Sequence, residues 1–202
     1  MAIRYENGIK RPGQIHQWTE EQVREMVKCS QDPIYFGEKY YKIKHPDRGE
    51  LTIQLHPFQK DMVSIFQNNQ RTAALCPRQV GKTTIVSLYI LWYCLFNEHK
   101  FVAITAHMLR GAKSVMDDIK FAYQKLPDWI KPGVMEFNAT SVKFENGTEI
   151  MASPTSADSL RGQSCSLVFC LGGENTITVR NKETGEIQEV SLEDLYNEEA
   201  YN

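Results

Sequence analysis

A short apolar segment, a polar loop and a long apolar segment follow one another between residues 71 and 96, and this succession constrains the fold most strongly. The stretch RTAALC (71–76) predicts a short buried strand, and PRQVGK (77–82) predicts a loop. Residues 83–96 are almost entirely apolar, which predicts a buried helix that Asn97 could end. A strand, a tight loop and a buried helix in this order are typical of a parallel α/β sheet.

The chain continues this alternation up to residue 169. KFVAITA (100–106) predicts a second buried strand, residues 108–126 have helical spacing, and SLVF (166–169) predicts a further buried strand. SVKFENGTEIMA (141–152) predicts a hairpin, because Asn146-Gly147 suits the two positive φ angles of a type I′ turn. The predicted fold class is therefore α/β, with a largely parallel sheet and flanking helices.

Composition excludes several classes of protein. The 202 residues are 42% hydrophobic and 24% charged, which is normal for a globular protein. The longest apolar run, 85–96, is too short to cross a bilayer, and residues 1–13 contain no apolar signal region. The five cysteines, an odd number without a CxxC pair, favour neither a disulfide framework nor a zinc site. We therefore predict a cytoplasmic location and no membrane partner.

Charge is divided unevenly along the chain. Residues 170–202 contain eight acidic and two basic residues, a net charge of −6. Residues 1–169 contain 21 basic and 17 acidic residues, a net charge of +4. The change of sign predicts a boundary near residue 170. A charge of +4 gives weak support for an anionic partner, and an ordinary solvated surface explains it as well.

The stretch CPRQVGKTT (76–84) has the context of a Walker A phosphate-binding motif, because it follows a predicted strand and opens a helix. In such a motif backbone N–H groups surround phosphate oxygens, Lys82 reaches the β and γ phosphates, and the Thr83 hydroxyl binds Mg²⁺. ATP and Mg²⁺ are therefore the predicted cofactors. Cys76 stands where a glycine is usual, and the alternative is an ordinary helix start with a solvated lysine. The predicted nucleotide-binding residues of this loop are Cys76, Pro77, Gln79, Val80, Gly81, Lys82, Thr83 and Thr84.

Three further side chains are candidates for the same site. Arg78 cannot lose its proton and could stabilise charge that develops at the γ phosphate, although a surface ion pair is the alternative. Phe58 could stack on adenine, and the Gln59 amide offers a donor and an acceptor to the edge of the base. Two residues alone give only slight support for an adenine contact.

Six segments together resemble the N-terminal ATPase of the large terminase subunit of tailed phages. They lie between Gln17 and Phe169 in the order and approximate spacing of that family, and they are IQLHPFQKDMVSIF, CPRQVGKTT, AITAHMLRGAKSVMDDIK, LPDWIKPGVMEFN, VKFENGTEI and SADSLRGQSCSLVF. The resemblance implies that a loop with Arg78 and without the first glycine is normal for this family. It places Gln59 on the adenine-reading glutamine and Arg161-Gly162 on the turn before the Walker B strand. It also implies ATP hydrolysis that drives double-stranded DNA into a procapsid through the portal.

The strand that begins at SLVF lacks the ending that this family requires. The resemblance implies an aspartate in the Mg²⁺ environment and a glutamate that activates the attacking water, and neither follows Phe169. Cys170 follows instead, then Leu171 and two glycines, so we expect the strand to be interrupted there. The predicted ATPase is therefore cut inside its own active site.

The sequence after this point, CLGGENTITVRNKETGEIQEVSLEDLYN (170–197), resembles the N-terminal part of an intein, a segment that excises itself and joins its flanks. The resemblance rests on a cysteine in first position, Glu174, a β-branched run at 176–179, a turn at 181–185, a strand at 186–190 and a helix start at Ser191. Asn175 departs from the pattern, since threonine is common at its place. The resemblance implies a short all-β fragment of the intein (Hint) fold.

Cys170 is the predicted splicing nucleophile, and the Phe169 carbonyl is its predicted target. Thiol attack would turn the peptide bond into a thioester, whereas a buried inert cysteine is the alternative. Only 33 residues follow Phe169, so a naturally split intein is the expectation. A second polypeptide would carry a basic intein C-fragment and the rest of the terminase, and the acidic segment would steer their encounter. The alternative is that these acids simply form a solvated face.

The sequence thus predicts two domains, an ATPase N-terminal half at 1–169 and a split-intein N-fragment at 170–202. We expect trans-splicing in the host cytoplasm to rebuild a DNA-packaging ATPase. Two alternatives remain open, a stand-alone ATP-binding module and a decayed fragment that neither binds nor splices. For the chain alone we expect marginal stability or aggregation, because half of a parallel sheet leaves an open edge.

Overall fold

The computed structural model describes residues 8–45, 47–77, 80–155, 160 and 162–171, and the backbone of 176–180 and 187–191. The helices in these residues are α1 (Glu20–Gln31), α2 (Pro33–Tyr40), α3 (Pro57–Asn68), α4 (Lys82–Phe96) and α5 (Leu109–Lys125). The strands are β1 (Lys42–His45), β2 (Gly49–Thr52), β3 (Phe101–Ala106), β4 (Val134–Phe137), β5 (Ser141–Phe144), β6 (Glu149–Pro154), β7 (Leu167–Leu171), β8 (Thr176–Arg180) and β9 (Ile187–Ser191).

Five of the strands form one mixed sheet in the order β4-β5-β6-β3-β7. The strands β6, β3 and β7 run parallel, whereas β4, β5 and β6 pair in antiparallel fashion. The α/β class is confirmed, but the prediction of a largely parallel sheet is only partly right. The reason is the tight turn between β5 and β6, because two strands joined in this way must run antiparallel.

Helices α4 and α5 pack against each other, and α5 also contacts β3 and β6. Both predicted helices are confirmed to within one residue at each end. In α4, nine of 15 residues are buried, as expected for a helix that is apolar all round. In α5 the buried positions recur at intervals of three and four residues, and they are Ala112, Val115, Met116, Ile119, Ala122 and Tyr123. None of the helices in the described part of the chain is long and apolar enough to span a membrane.

The turn between β5 and β6 differs from the predicted type. Gly147 has φ +78°, but His99 is the only non-glycine residue with a positive φ in the described ranges, so Asn146 has none. The Gly147 N–H donates to the Phe144 carbonyl at 3.1 Å, and the Phe144 N–H donates to the Thr148 carbonyl at 2.9 Å. These bonds define a type I turn followed by a glycine bulge, which needs one positive φ where a type I′ turn needs two.

The segment before the predicted phosphate loop is the largest departure from the predicted fold. Residues 72–77 form no strand, and residues 71–75 are exposed, with 66% of Leu75 accessible. Within the described residues β7 is the last strand of the sheet, so its outer edge has no neighbouring strand. A central strand of a parallel sheet needs partners for its backbone groups on both sides. RTAALC has the composition of such a strand, but in the described part of the chain no strand pairs with it on either side.

Strand β7 crosses the predicted junction between Phe169 and Cys170. It pairs in parallel with β3, and Thr105 lies opposite Cys170 while Ala106 lies opposite Leu171. Exposure alternates along the strand, which is the pattern of an edge strand with one covered face. The expected interruption after Phe169 is therefore wrong for the backbone, since Cys170 and Leu171 continue the same alternation.

Strands β8 and β9 form an antiparallel hairpin in which Ile177 lies opposite Val190. These strands agree with the two that were predicted at 176–179 and 186–190. Glu174, Asn175 and the predicted turn lie outside the described residues, and Ser191 ends β9, with the residues of the expected helix after it also outside them. A two-stranded hairpin occurs in many folds, so the intein resemblance stays a prediction.

A cluster of hydrogen bonds around the Glu25 carboxylate joins α1 to α2. Glu25 accepts hydrogen bonds from Lys39 Nζ at 2.6 Å and from the Tyr35 and Tyr40 hydroxyls at 2.9 Å each. Burial raises the pKa of Glu25, but the hydrogen bonds from Lys39 and the two tyrosines outweigh burial and hold it below its ordinary value. The folded chain therefore favours the ionised carboxylate.

Replacing Glu25 with glutamine is expected to lower the free energy of unfolding by about 1 to 2 kcal/mol near neutral pH. Because the folded pKa is depressed below 4.5, this contribution is present above that pH and is lost as the pH falls through the folded pKa. Urea titrations at several pH values should show the difference shrinking in acid. The control is Glu20→Gln, because Glu20 pairs with Arg24 on the exposed surface. A difference that is constant down to the acid limit would contradict the prediction.

Candidate functional site

The predicted phosphate loop leads directly into α4. Gly81 precedes the helix with φ +81°, a left-handed conformation that glycine adopts without strain. A Cβ atom at this position would lie 2.8 Å from Gln59 Nε2, so a larger residue would also displace the Gln59 amide. Among the described residues no side chain caps the first turn of α4. Its N–H groups are therefore available to an anion.

The Lys82 side chain extends back toward the start of the predicted loop. Its Nζ donates to the carbonyl of Cys76 at 2.9 Å. Thr83 and Thr84 follow in the first turn and are half-buried, and the Ser87 hydroxyl donates to the Thr83 carbonyl at 2.7 Å. The contact with Cys76 holds the ammonium group at the loop, where a phosphate oxygen could replace the carbonyl as its acceptor.

Gln59 supports the loop from α3. Its Nε2 donates to the Val80 carbonyl at 3.0 Å, and its Oε1 accepts from the His56 N–H at 3.0 Å. Phe58 is 43% exposed, and its ring stacks on His56. The Gln59 amide thus already bonds within the chain, while its second amide proton can serve another acceptor. The adenine contact of Phe58 and Gln59 stays a prediction.

The middle of the predicted loop, Arg78 and Gln79, lies outside the described residues, and so does Arg161. The proposed place of Arg78 at the γ phosphate therefore has no structural test. Pro77 is exposed and Val80 is half-buried, and these two residues flank the part of the loop that is not described.

The predicted scissile peptide lies near the carboxyl end of β7. The Phe169 ring packs edge-on against Phe66 and Tyr89, with centroids 5.4 and 6.5 Å apart, whereas Cys170 is exposed. Thr105 Oγ1 lies 3.4 Å from the Phe169 carbonyl oxygen and 3.2 Å from Cys170 Sγ. The Thr105 hydroxyl therefore contacts both the predicted nucleophile and its target, and the sequence analysis did not select this residue. Its one signal in the sequence is a polar residue inside the apolar strand FVAITA.

Helix α3 contacts both parts of the site. Gln59 bonds to the predicted phosphate loop, Met62 Sδ lies 4.0 Å from Cys76 Sγ, and Phe66 packs on Phe169. The three α3 residues are three and four positions apart, so they lie on one face of the helix. The predicted nucleotide loop and the predicted junction are thus held against the same helix face.

The five cysteines differ in burial and therefore in expected reactivity. Cys29 and Cys94 are buried, and burial raises the pKa of both thiols, that of Cys29 to about 12. Burial also raises the pKa of Cys165, which is half-buried like Cys76. Cys170 is the exposed thiol. Because the reactive form is an accessible thiolate, Cys170 has the most favourable surroundings for attack.

Brief treatment with iodoacetamide near neutral pH is expected to label Cys170 at least about tenfold faster than Cys29 and Cys94. Peptide mass mapping measures the fraction modified at each position. In urea all five thiols should react at similar rates, which provides the control. Labelling of Cys29 or Cys94 ahead of Cys170 in the folded chain would contradict the described burial.

Two comparisons with known proteins bear on this geometry. Residues 73–170 match the family model described as terminase large subunit, T4likevirus-type, N-terminal. The crystal structure of the bacteriophage HK97 large terminase is similar with a TM-score of 0.57 and 18% sequence identity. This match covers 70% of the present chain and 30% of that terminase. The chain therefore spans less than a third of the length of the solved protein, and at this identity the likeness shows the fold alone.

The comparisons support the terminase part of the sequence-based resemblance. They do not test the boundary at residues 169 and 170 or the intein part, which stay predictions. The matched range contains the predicted phosphate loop, α4 and the five-stranded sheet except for Leu171, the last residue of β7. Over residues 73–170 the chain is therefore similar to the N-terminal region of a terminase large subunit, and its described fold is similar to that of a phage large terminase.

Proposed function

We propose that this chain is a splicing precursor of a phage DNA-packaging ATPase. Residues 1–169 supply the first part of the ATPase, and residues 170–202 supply the N-terminal fragment of a split intein. The observation that carries the proposal is the position of Cys170, an exposed thiol within a strand of the terminase-like sheet. The family match ends at this same residue. The chain lacks an acidic pair there, so its ATPase site stays incomplete until the sequence after Phe169 is exchanged.

Two features of the described part of the predicted phosphate loop support binding of ATP and Mg²⁺. The uncapped first turn of α4 suits a phosphate group, which the Lys82 ammonium would help to neutralise. The Thr83 hydroxyl would hold Mg²⁺, and Arg78 would stabilise charge at the γ phosphate. Bound Mg²⁺ supplies neutralisation of the phosphate charge. Without the acids that activate water, we expect the unspliced chain to bind ATP without rapid turnover.

Splicing would begin with attack of Cys170 Sγ on the carbonyl carbon of Phe169. The C–S bond forms, the C–N bond breaks, and the thiol proton ends on the released amine of Cys170. Residues 1–169 are then held as a thioester, which a second nucleophile can accept. The peptide is trans and extended within β7, so the reaction starts from an ordered strand.

The charge of residues 170–202 supports a basic partner. A net charge of −6 within this short segment would speed the encounter with a basic intein fragment on a second polypeptide. That polypeptide would also carry the missing acids and the nuclease. The joined protein would act on double-stranded DNA at the procapsid portal, in the host cytoplasm.

Co-expression tests the proposal. The partner is the neighbouring reading frame that encodes a basic intein fragment followed by an apolar segment and Asp-Glu, and intact mass is the measurement. A joined product that retains residues 1–169 and lacks 170–202 would support splicing. A folded pair without any joined product would contradict it.

A second candidate function is a stand-alone ATP-binding module. The contact of Lys82 Nζ with the loop carbonyl of Cys76 favours it, because the ammonium is already held at the predicted phosphate site. Magnesium-dependent ATP binding without a joined product would select this function. If the chain neither binds ATP nor yields a joined product, the remaining alternative is a decayed fragment.

A further inference from the structure

We infer that Thr105 of β3 stabilises the charge that develops on the Phe169 carbonyl during the first splicing step. This inference rests on the proposed function, since it concerns the same peptide bond. Thr105 Oγ1 lies 3.4 Å from the carbonyl oxygen and 3.2 Å from Cys170 Sγ. The ATPase sheet, and not the intein alone, would thus supply a group that acts on the scissile bond.

Strand pairing fixes the position of Thr105. It lies directly opposite Cys170 in the parallel register of β3 and β7, so the two side chains share one face of the sheet. The Phe169 ring lies against Phe66 and Tyr89 and anchors the same peptide. With 2% of Thr105 exposed, its hydroxyl acts in surroundings from which water is largely excluded. A hydrogen bond to a developing oxyanion is stronger in such surroundings than in water.

A second buried hydroxyl, that of Ser153, lies beside Thr105 on the strand opposite β7. Ser153 lies opposite Thr105 in the parallel pairing of β6 with β3. Its Oγ is buried and has no hydrogen-bond partner in the described part of the chain. A buried hydroxyl without a partner is costly, and rotation about χ1 could direct it to Thr105. Ser153 would then donate to Thr105 Oγ1 and orient the Thr105 proton toward the Phe169 carbonyl.

The step balances without any further reactant. Cys170 Sγ bonds to the Phe169 carbonyl carbon, and the carbonyl oxygen becomes an oxyanion that accepts the hydrogen bond of Thr105. Collapse of this intermediate breaks the C–N bond. The thiol proton passes to the nitrogen, which leaves as the free amine of Cys170. Thr105 keeps its proton throughout and acts through its hydrogen bond.

Hydroxylamine trapping in the isolated full chain tests the inference. Hydroxylamine converts a thioester at Phe169 into a hydroxamate, and intact mass then reports release of residues 1–169. We expect release from the wild-type chain, and about 10- to 100-fold slower release from Thr105→Val, which keeps the shape and loses the hydroxyl. Thr105→Ser keeps the hydroxyl and should release near the wild-type rate. A packing role would instead favour valine over serine.

Equal rates for Thr105→Val and wild type, with release abolished in Cys170→Ala, would overturn the inference and leave the proposed function standing. Failure of the wild-type chain to release, where the co-expressed pair still splices, would also overturn it. Release that persists in Cys170→Ala would contradict the proposed function itself. Thermal unfolding checks each variant, and Thr105→Ala is the second hydroxyl-free variant if Thr105→Val does not fold, with the same expected slowing.

Discussion

Replacing Cys170 with alanine is expected to abolish joining of residues 1–169 to a partner chain, with a rate at least about a thousandfold below wild type. A methyl group cannot attack the Phe169 carbonyl, so no thioester forms and residues 1–169 stay attached to 170–202. Intact mass of the co-expressed pair measures the joined product. The fold should tolerate the change, because Cys170 is exposed at the edge of the sheet.

The matched control is Cys165→Ala. Cys165 lies five residues before Cys170 and is half-buried, and burial raises the pKa of its thiol. This variant should join at the wild-type rate, since its sulfur does not take part in the reaction. Joined product from Cys170→Ala, or loss of product in Cys165→Ala with an intact fold, would count against Cys170 as the nucleophile.

Replacing Lys82 with alanine is expected to weaken ATP binding about 10- to 100-fold. Hydrogen bonds to charged groups contribute about 1.5 to 3 kcal/mol, and Lys82 would make such bonds to the β and γ phosphates. Calorimetric titration with ATP and Mg²⁺ measures the change. In the free chain the lost contact is the one to the Cys76 carbonyl at 2.9 Å.

Lys125→Ala provides a control of equal charge change. Lys125 pairs with Glu50 on the surface at 2.6 Å and lies at the end of α5, so its removal should leave the affinity nearly unchanged. An equal loss of affinity in both variants would indicate non-specific attraction of the nucleotide. ATP hydrolysis at motor-like rates by the unspliced chain would contradict the need for the missing acids.

The elements with a strong periodic signal could be predicted from the sequence. In α5 the apolar residues repeat at helical spacing, and in α4 they fill every face, so the interior of each helix follows from local pattern alone. Strand β3 and the β5–β6 hairpin likewise have short apolar or alternating runs bounded by turn residues. These features depend on residues that are neighbours in sequence.

The features that depend on distant neighbours could not be predicted in the same way. The segment RTAALC has the composition of a strand, but a strand forms only where another strand can share its hydrogen bonds. Thr105 shows the same limit for the site, because its contact with Cys170 follows from the register of β3 against β7. The sequence contains the polar residue, and only the pairing shows which peptide it touches.

The register of β7 limits how many residues the proposed splicing reaction could leave behind in the joined chain. Cys170 lies opposite Thr105 inside the strand. In the joined chain of the proposed function, the first residue of the second flank would take this position. Side chains alternate between the two faces of a strand, and a single residue left behind would turn every following side chain to the opposite face. The acids of the proposed ATPase would then point away from the predicted phosphate loop. The proposed interruption at this position would therefore require excision that leaves no residue behind, whereas a surface loop would tolerate a residual scar.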